Sequence, residues 1–299
     1  MNRLAILVAA VAFAAPAYSD HTPGSTPGRN ADPQPVPVAD APVAAPMKSA
    51  RRAPVAPVAD GALPSGNAVV SAFIDAVGGI DRIRTVPGLR STAVLDGSAG
   101  NIESRSLSAP GNRFLITRTN ATQGTVSVGS DGTIAWIAAD SGACRLLAPE
   151  ETHMHADSSD PLAMIRAFPE RYGEFHTIGR EAFAGAECIR IGMIDQSGQP
   201  VNAWFGADDA LLKGLRFGDE AEPTVVRFDD WGDVAGLRLF ARMSVDRGES
   251  HHSIRWTALE IDPIDAVAFA APSEAARLAR QDAEQRAAAS EHGADGNGP

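Results

Sequence analysis

Short strand-like runs recur from residue 66 to residue 272, and their spacing limits the folds that this chain can adopt. Each run alternates apolar and polar residues, and turn pairs such as Asp131-Gly132 and Ser197-Gly198 lie between runs. About a dozen such strands with few helical interruptions predict one strongly curved antiparallel sheet. The predicted strands are 89–95, 102–107, 113–118, 125–128, 134–138, 143–147, 187–194, 201–205, 211–217, 224–228, 237–245 and 253–261.

A sheet with one apolar face needs a cover, and the sequence offers short helices for it. Apolar residues at spacings of three and four predict a helix over 68–77 and another over 161–171, and a single turn follows the first at 80–84. Residues 149–160 look like a solvated loop. We therefore expect a mainly β protein, an open antiparallel half barrel of about eleven strands covered by two or three short helices.

The sheet and its cover would enclose an apolar space. Aromatic residues in such a protein either fill the core or line a ligand cavity, and a half barrel must turn some of them toward its ligand. The predicted lining residues are Phe73, Phe114, Trp136, Leu162, Ile165, Trp204, Phe228 and Trp256.

The two ends of the chain differ from its middle. A positive start, an apolar stretch over 4–15 and small residues before Asp20 predict a signal peptide over 1–19 and export to the bacterial periplasm. Ten of the 21 prolines lie in 20–65, which predicts a disordered linker. Residues 273–299 are expected to form a charged, solvated helical or disordered tail, and we expect no membrane span after signal cleavage.

Charge and cysteine content narrow the functional classes. A net charge of -11 disfavours nucleic acid as a partner, because phosphate backbones repel an acidic chain. The two cysteines, Cys144 and Cys188, could form a disulfide in an oxidising compartment, provided that their strands are neighbours, or stay as two buried free thiols. Both alternatives remain open.

The sequence shows little chemistry of the catalytic kind. His153 and His155 on a strand could join Glu151 as metal ligands, but the flanking residues indicate a loop, and we expect neither a metal nor a cofactor. Adjacent acids such as Asp229-Asp230 point to opposite faces of a strand and would not share a proton. No nucleophile elbow occurs, and we expect a protein that is not an enzyme.

Six short motifs, taken in order, resemble exported proteins of the LolA/LolB-like outer-membrane lipoprotein-sorting family. They lie at 76–79, 129–136, 184–188, 201–205, 228–237 and 268–272. The resemblance implies an unclosed eleven-stranded half barrel, lidded by helices, whose hydrophobic cavity takes acyl chains.

On this basis we expect a monomeric periplasmic carrier of a lipid, an acyl chain or a lipidated protein. The resemblance also takes in envelope-stress sensors built on the same fold. The alternative is therefore a non-enzymatic sensor or regulatory binding module with an envelope protein as its partner.

Overall fold

The computed structural model describes residues 63–96, 100–121 and 124–294. In these residues, thirteen strands form one open antiparallel sheet in the order β6-β5-β4-β3-β2-β1-β13-β12-β11-β10-β9-β8-β7. The strands are β1 Leu89–Asp96, β2 Ile102–Ala109, β3 Arg113–Asn120, β4 Gly124–Asp131, β5 Ala135–Ala139, β6 Cys144–Leu146, β7 Tyr172–Phe183, β8 Ala186–Asp195, β9 Pro200–Gly206, β10 Leu212–Phe217, β11 Thr224–Val234, β12 Leu237–Arg247 and β13 Ser250–Ile261. The predicted fold class is confirmed, with thirteen strands rather than about eleven. The predicted signal peptide and nearly all of the linker lie outside the described residues.

Five α-helices and one 3-10 turn accompany the sheet in the described part of the chain. They are α1 Gly66–Val77, α2 Ile80–Arg84, α3 Pro149–Ser159, α4 Pro161–Arg171, the 3-10 turn Ala266–Phe269 and α5 Ser273–Ala294. Helices α1, α3 and α4 pack on one face of the sheet, which we call the inner face, whereas the 3-10 turn and α5 lie against the outer face near β3, β4 and β6.

The strand order explains why helices cover the inner face. From β1 the chain runs outward strand by strand to the edge strand β6, and from the opposite edge strand β7 it runs back to β13, which pairs with β1. The segment between the two edges contains α3 and α4. This connection must cross a face of the sheet, and it does so over the inner face.

Two elements were not foreseen from the sequence. Strand β7 lies at an edge with most of its side chains exposed or half-buried, so its sequence lacks a clear alternation of apolar residues. Helix α3 occupies the segment expected to be a loop. It begins at Pro149, a favoured first residue, and the Glu151 carboxylate accepts a hydrogen bond from the Ala148 backbone N–H at 3.0 Å. Because α3 has almost no apolar face, hydrophobic periodicity could not reveal it.

The main hydrophobic core lies between α1, α4 and the inner face of β8–β12. Phe73 of α1 is its centre, with ring centroids 5.6 Å from Phe168, 5.4 Å from Phe205 and 6.3 Å from Trp231. Helix α1 is fixed at its start by Ser65, whose hydroxyl accepts from the Ala68 N–H, and it ends at Gly78 with φ 133°. Helices α1 and α4 are therefore held by large apolar side chains.

The start of the C-terminal tail packs against the sheet, which the sequence did not predict. Helix α5 packs against β6, and its residue Ala275 is fully buried, as is Phe269 of the preceding 3-10 turn. The guanidinium of Arg113 lies 5.9 Å from the Phe269 ring centroid. The tail is thus a helix whose described side chains are mostly exposed or half-buried, and its start approaches the sheet closely because the Ala275 side chain is small.

A tight backbone approach at Gly88, just before β1, provides a test of how the sheet is joined. A Cβ atom on Gly88 would lie 2.7 Å from the carbonyl oxygen of Asp262, just after β13. We expect Gly88→Ala to lower the free energy of unfolding by about 1–3 kcal/mol, as measured by urea denaturation. Gly179→Ala in β7 is the control, since its Cβ would meet nothing within 4 Å, and equal losses in both variants would contradict the packing described here.

Candidate ligand-binding face

The inner face of β1–β4 differs from the main core because it carries a row of serines. Ser104, Ser106 and Ser108 of β2 face inward, and we call them the serine row. The hydroxyls of Ser106 and Ser91 are 2.6 Å apart and are hydrogen-bonded in a buried position. The row separates the main core from a small second cluster of Phe114, Ile116 and Val128.

A cavity of about 300 Å³ opens at one end of the serine row. It lies where the β2–β3 hairpin meets the junction of α3 and α4. Its lining residues are Arg84, Val86, Gly88, Leu89, Ser108, Ala109, Pro110, Gly111, Asn112, Arg113, Phe114, Ala156, Asp157, Asp160, Ala163 and Arg166. The cavity thus combines an apolar wall with a charged rim.

Most charged residues at this rim form ion pairs, either with each other or with a neighbour outside the cavity. Asp160 caps α4 by accepting from the Leu162 N–H at 2.7 Å, and it forms an ion pair with Arg166 at 3.2 Å. Burial raises the pKa of Asp160, although Arg166 opposes this effect. Asp157 of α3 pairs with Arg171 of α4 at 2.9 Å. The rim charges therefore tie the α3–α4 junction together.

Helix α3 covers the serine-row half and is held by polar contacts. The Arg145 guanidinium of β6 donates to both carboxylate oxygens of Glu151, at 2.9 and 3.0 Å, and this hydrogen bonding lowers the pKa of Glu151. Ala156 packs on the small second cluster, and His155 is buried. No large apolar side chain of α3 enters the core, in contrast to α1 and α4.

A basic residue of the sheet lies at the inner face below His155 of α3. Arg118 of β3 faces inward opposite Ser104, and its charge acts on His155. Burial, together with the charges of Arg118 and Arg145, lowers the pKa of His155 to about 4 against an opposing effect of Glu151. The imidazole is therefore neutral at neutral pH. Burial also lowers the pKa of the Arg118 guanidinium.

Five of the eight predicted lining residues belong to the main core. Phe73, Leu162, Ile165 and Phe228 are fully buried there, and Trp256 packs against the same core. These residues contact other core side chains directly, as in the 5.0 Å ring contact of Phe228 with Phe240 and the 5.4 Å contact of Phe240 with Trp256. Side chains fill this half of the inner face. Phe114 lies apart from them, and it lines the cavity at the end of the serine row.

The structure corrects the placement of the other two, which lie on the outer face. Trp136 lies over Gly129 of β4, on the side of the sheet that carries α5. Trp204 stacks on Phe183 with ring centroids 4.4 Å apart, and its Nε1 donates to Glu181 at 2.6 Å. Alternation within one strand shows which residues share its buried side. It does not show whether that side belongs to the inner or the outer face of the sheet.

Arg118 and the serine row were not predicted from the sequence. The alternation of serines over 102–109 was visible, but a polar inward face is not expected of a core strand. Of the two alternatives for the cysteines, the structure has free thiols: Cys144 lies in the edge strand β6 and Cys188 in β8, near the other edge. Burial raises the pKa of both thiols.

The expected absence of a metal was argued from a loop, but the histidines lie on a helix. Two residues apart on α3, His153 is exposed and His155 is buried, so they do not share a face. Residues 63–96, 100–121 and 124–294 contain no group of three His, Cys, Asp or Glu side chains arranged to hold a metal ion. Within the same ranges, no helix has the length and hydropathy needed to cross a membrane.

No protein-family model matches the chain, and no curated protein sequence matches it.

Solved structures resemble it at low identity. A DUF1329 family protein from Desulfovibrio piger is 14% identical, over 70% of this chain and 98% of that one, with a TM-score of 0.49. A LolA superfamily protein from Nitrosomonas europaea is 10% identical, over 70% and 99%, with a TM-score of 0.46. A lipoprotein-sorting protein domain from Vibrio parahaemolyticus is 11% identical, over 69% and 95%, with a TM-score of 0.45. The last two carry the family description that the sequence motifs resemble, and these likenesses concern the fold alone.

The buried His155 predicts how stability changes with pH. Because its folded pKa of about 4 lies below the ordinary value of 6.5, its neutral form stabilises the fold fully above pH 6.5, and this contribution is lost as the pH falls toward 4. Between pH 7 and pH 5 we expect a loss of about 2 kcal/mol from this group. Urea denaturation of His155→Gln should lack this part of the pH dependence. The exposed His153→Gln is the control, and identical pH profiles for all three proteins would contradict the assignment.

Proposed function

We propose that this chain is an exported, non-enzymatic carrier of the bacterial periplasm. Residues 1–19 would direct export, 20–65 would act as a linker, and the folded domain would carry a lipid, an acyl chain or a lipidated protein. The ligand would lie between α3 and the inner face of β1–β4, in a groove that forms when α3 moves away and that continues into the cavity beside Ser108 and Phe114; we call it the α3 groove. The neighbours described as LolA superfamily and lipoprotein-sorting proteins fit this class of cargo.

One observation carries the proposal: α1 and α4 are held on the sheet by apolar packing, whereas α3 is held by ion pairs. Helices α1 and α4 insert fully buried side chains such as Phe73 and Ile165 into the main core, and lifting them would expose a large apolar area. Helix α3 is held by the pairs Arg145–Glu151 and Arg171–Asp157, which are partly exposed and cost little to break. An acyl carrier needs a cover that opens, and α3 is suited to that movement.

The alternative function is a regulatory module that binds a protein partner. The filled main core favours it, because half of the inner face offers no space for a ligand. In that case the α3 groove would also collapse onto its own side chains, and an acyl chain would find no site. Binding of an acyl probe therefore separates the two functions.

Blocking the α3 groove without adding charge tests the carrier. Ser104 is half-buried on the inner face opposite Ala93, and a phenylalanine there would occupy the groove. We expect a fluorescent fatty-acid probe to bind the wild type with micromolar affinity, since each buried CH2 contributes about 0.8 kcal/mol. Ser104→Phe should weaken binding at least tenfold.

Ser127→Phe is the matched control, because Ser127 is equally half-buried but shares the outer-facing side of β4 with Gly129. Circular dichroism must show the same β content in all three proteins. A wild type that binds no acyl probe while folded would contradict the carrier function and favour the regulatory module.

A further inference from the structure

Arg118 carries a charge that the described residues do not compensate. Its Nε is shielded from solvent and contacts no hydrogen-bond acceptor in the described ranges. Burial lowers the pKa of Arg118, and no carboxylate among the described residues opposes this effect. Uncompensated buried charge destabilises a folded protein, so such a residue calls for a functional reason.

The surroundings of Arg118 do not supply the missing negative charge. On the inner face its strand neighbours are Ser104 of β2 and Val126 of β4. From α3 above, His155 is neutral, and Glu151 is engaged by both guanidinium nitrogens of Arg145. Within the described ranges, the site therefore has a positive charge and polar hydroxyls, and its nearest acid, Glu151, is already paired with Arg145.

The serine row links this charge to the open cavity. Ser104 lies opposite Arg118, and Ser108 lines the cavity four residues farther along β2, a span of about 13 Å at the usual rise of a strand. The walls along this span include Ile116 and Phe114 of the second cluster. A ligand with a linear apolar chain and a negative charge at one end matches this arrangement.

We infer that Arg118 binds the anionic head group of a single-chain amphiphile, whose chain lies along the serine row toward the cavity. The inference rests on the proposed carrier function and adds the chemical class of the ligand. A guanidinium is suited to a carboxylate or a phosphate because both accept two parallel N–H hydrogen bonds. Because Arg118 is half-buried, this pairing contributes more than at a fully exposed position.

Isothermal titration calorimetry with three twelve-carbon ligands tests the inference. Dodecanoate, dodecyl phosphate and 1-dodecanol, each below its micelle concentration, share the chain and differ in the head group. We expect the wild type to bind at least one anion ten times more tightly than the alcohol. The tighter of the two anions identifies the head group as carboxylate or phosphate.

Two variants of Arg118 and one control complete the test. Arg118→Met and Arg118→Gln should lose the preference for anions and keep the affinity for dodecanol. Without ligand, Arg118→Met should melt at a higher temperature than the wild type, whereas an arginine with a merely structural role would lower it. Arg105→Met is the control, because Arg105 is exposed on the outer side of β2 beside Glu103.

The outcomes separate this inference from the function on which it rests. Equal affinities of the wild type for the alcohol and both anions would overturn the role of Arg118 and leave the carrier intact. The same holds if both Arg118 variants keep the anion preference. Absence of binding of all three ligands to the folded wild type would overturn the carrier function and this inference together.

Discussion

The pairing of β1 with β13 is the contact on which the rest of this structure depends. It joins the β1–β6 half of the sheet to the β7–β13 half through eight residue pairs, from Leu89–Ile261 to Asp96–Ser253. Because the first and last strands meet in the middle, the edges β6 and β7 are far apart in the sheet. The connection between these edges must cross the sheet, and this crossing places α3 and α4 over the inner face.

The two halves of the inner face differ in what they bury. The β8–β12 half packs Phe73, Phe168 and Phe205 against one another and is filled by its own side chains. Among the described residues, the serine-row half contains buried hydroxyls and a shielded Arg118 Nε without a hydrogen-bond partner, below a helix held by ion pairs. Apolar packing thus gives stability in one half, while the other half retains the polar groups and the loose cover that a binding site needs.

The sequence predicted the architecture better than the site. Strand spacing and turn pairs located twelve of the strands, because alternation survives wherever one face is buried. The sequence pattern did not predict β7, which is an exposed edge strand, or α3, which has almost no apolar face. The inner or outer placement of Trp136 and Trp204 depends on which helices cover each face, and that follows from long-range packing. The burial of Arg118 could not be predicted because α3, the helix above it, was not predicted.

The proposed function depends on an α3 that opens over a fixed α1 and α4. Hydrogen–deuterium exchange of the full chain, read by mass spectrometry with and without a saturating fatty acid, measures this directly. We expect the amides of α3 to exchange much faster than those of α1 and α4 in the free protein, and the ligand to slow exchange in α3 selectively. Equal protection of α3 and α4 in the free protein, with no change on adding the fatty acid, would contradict this expectation.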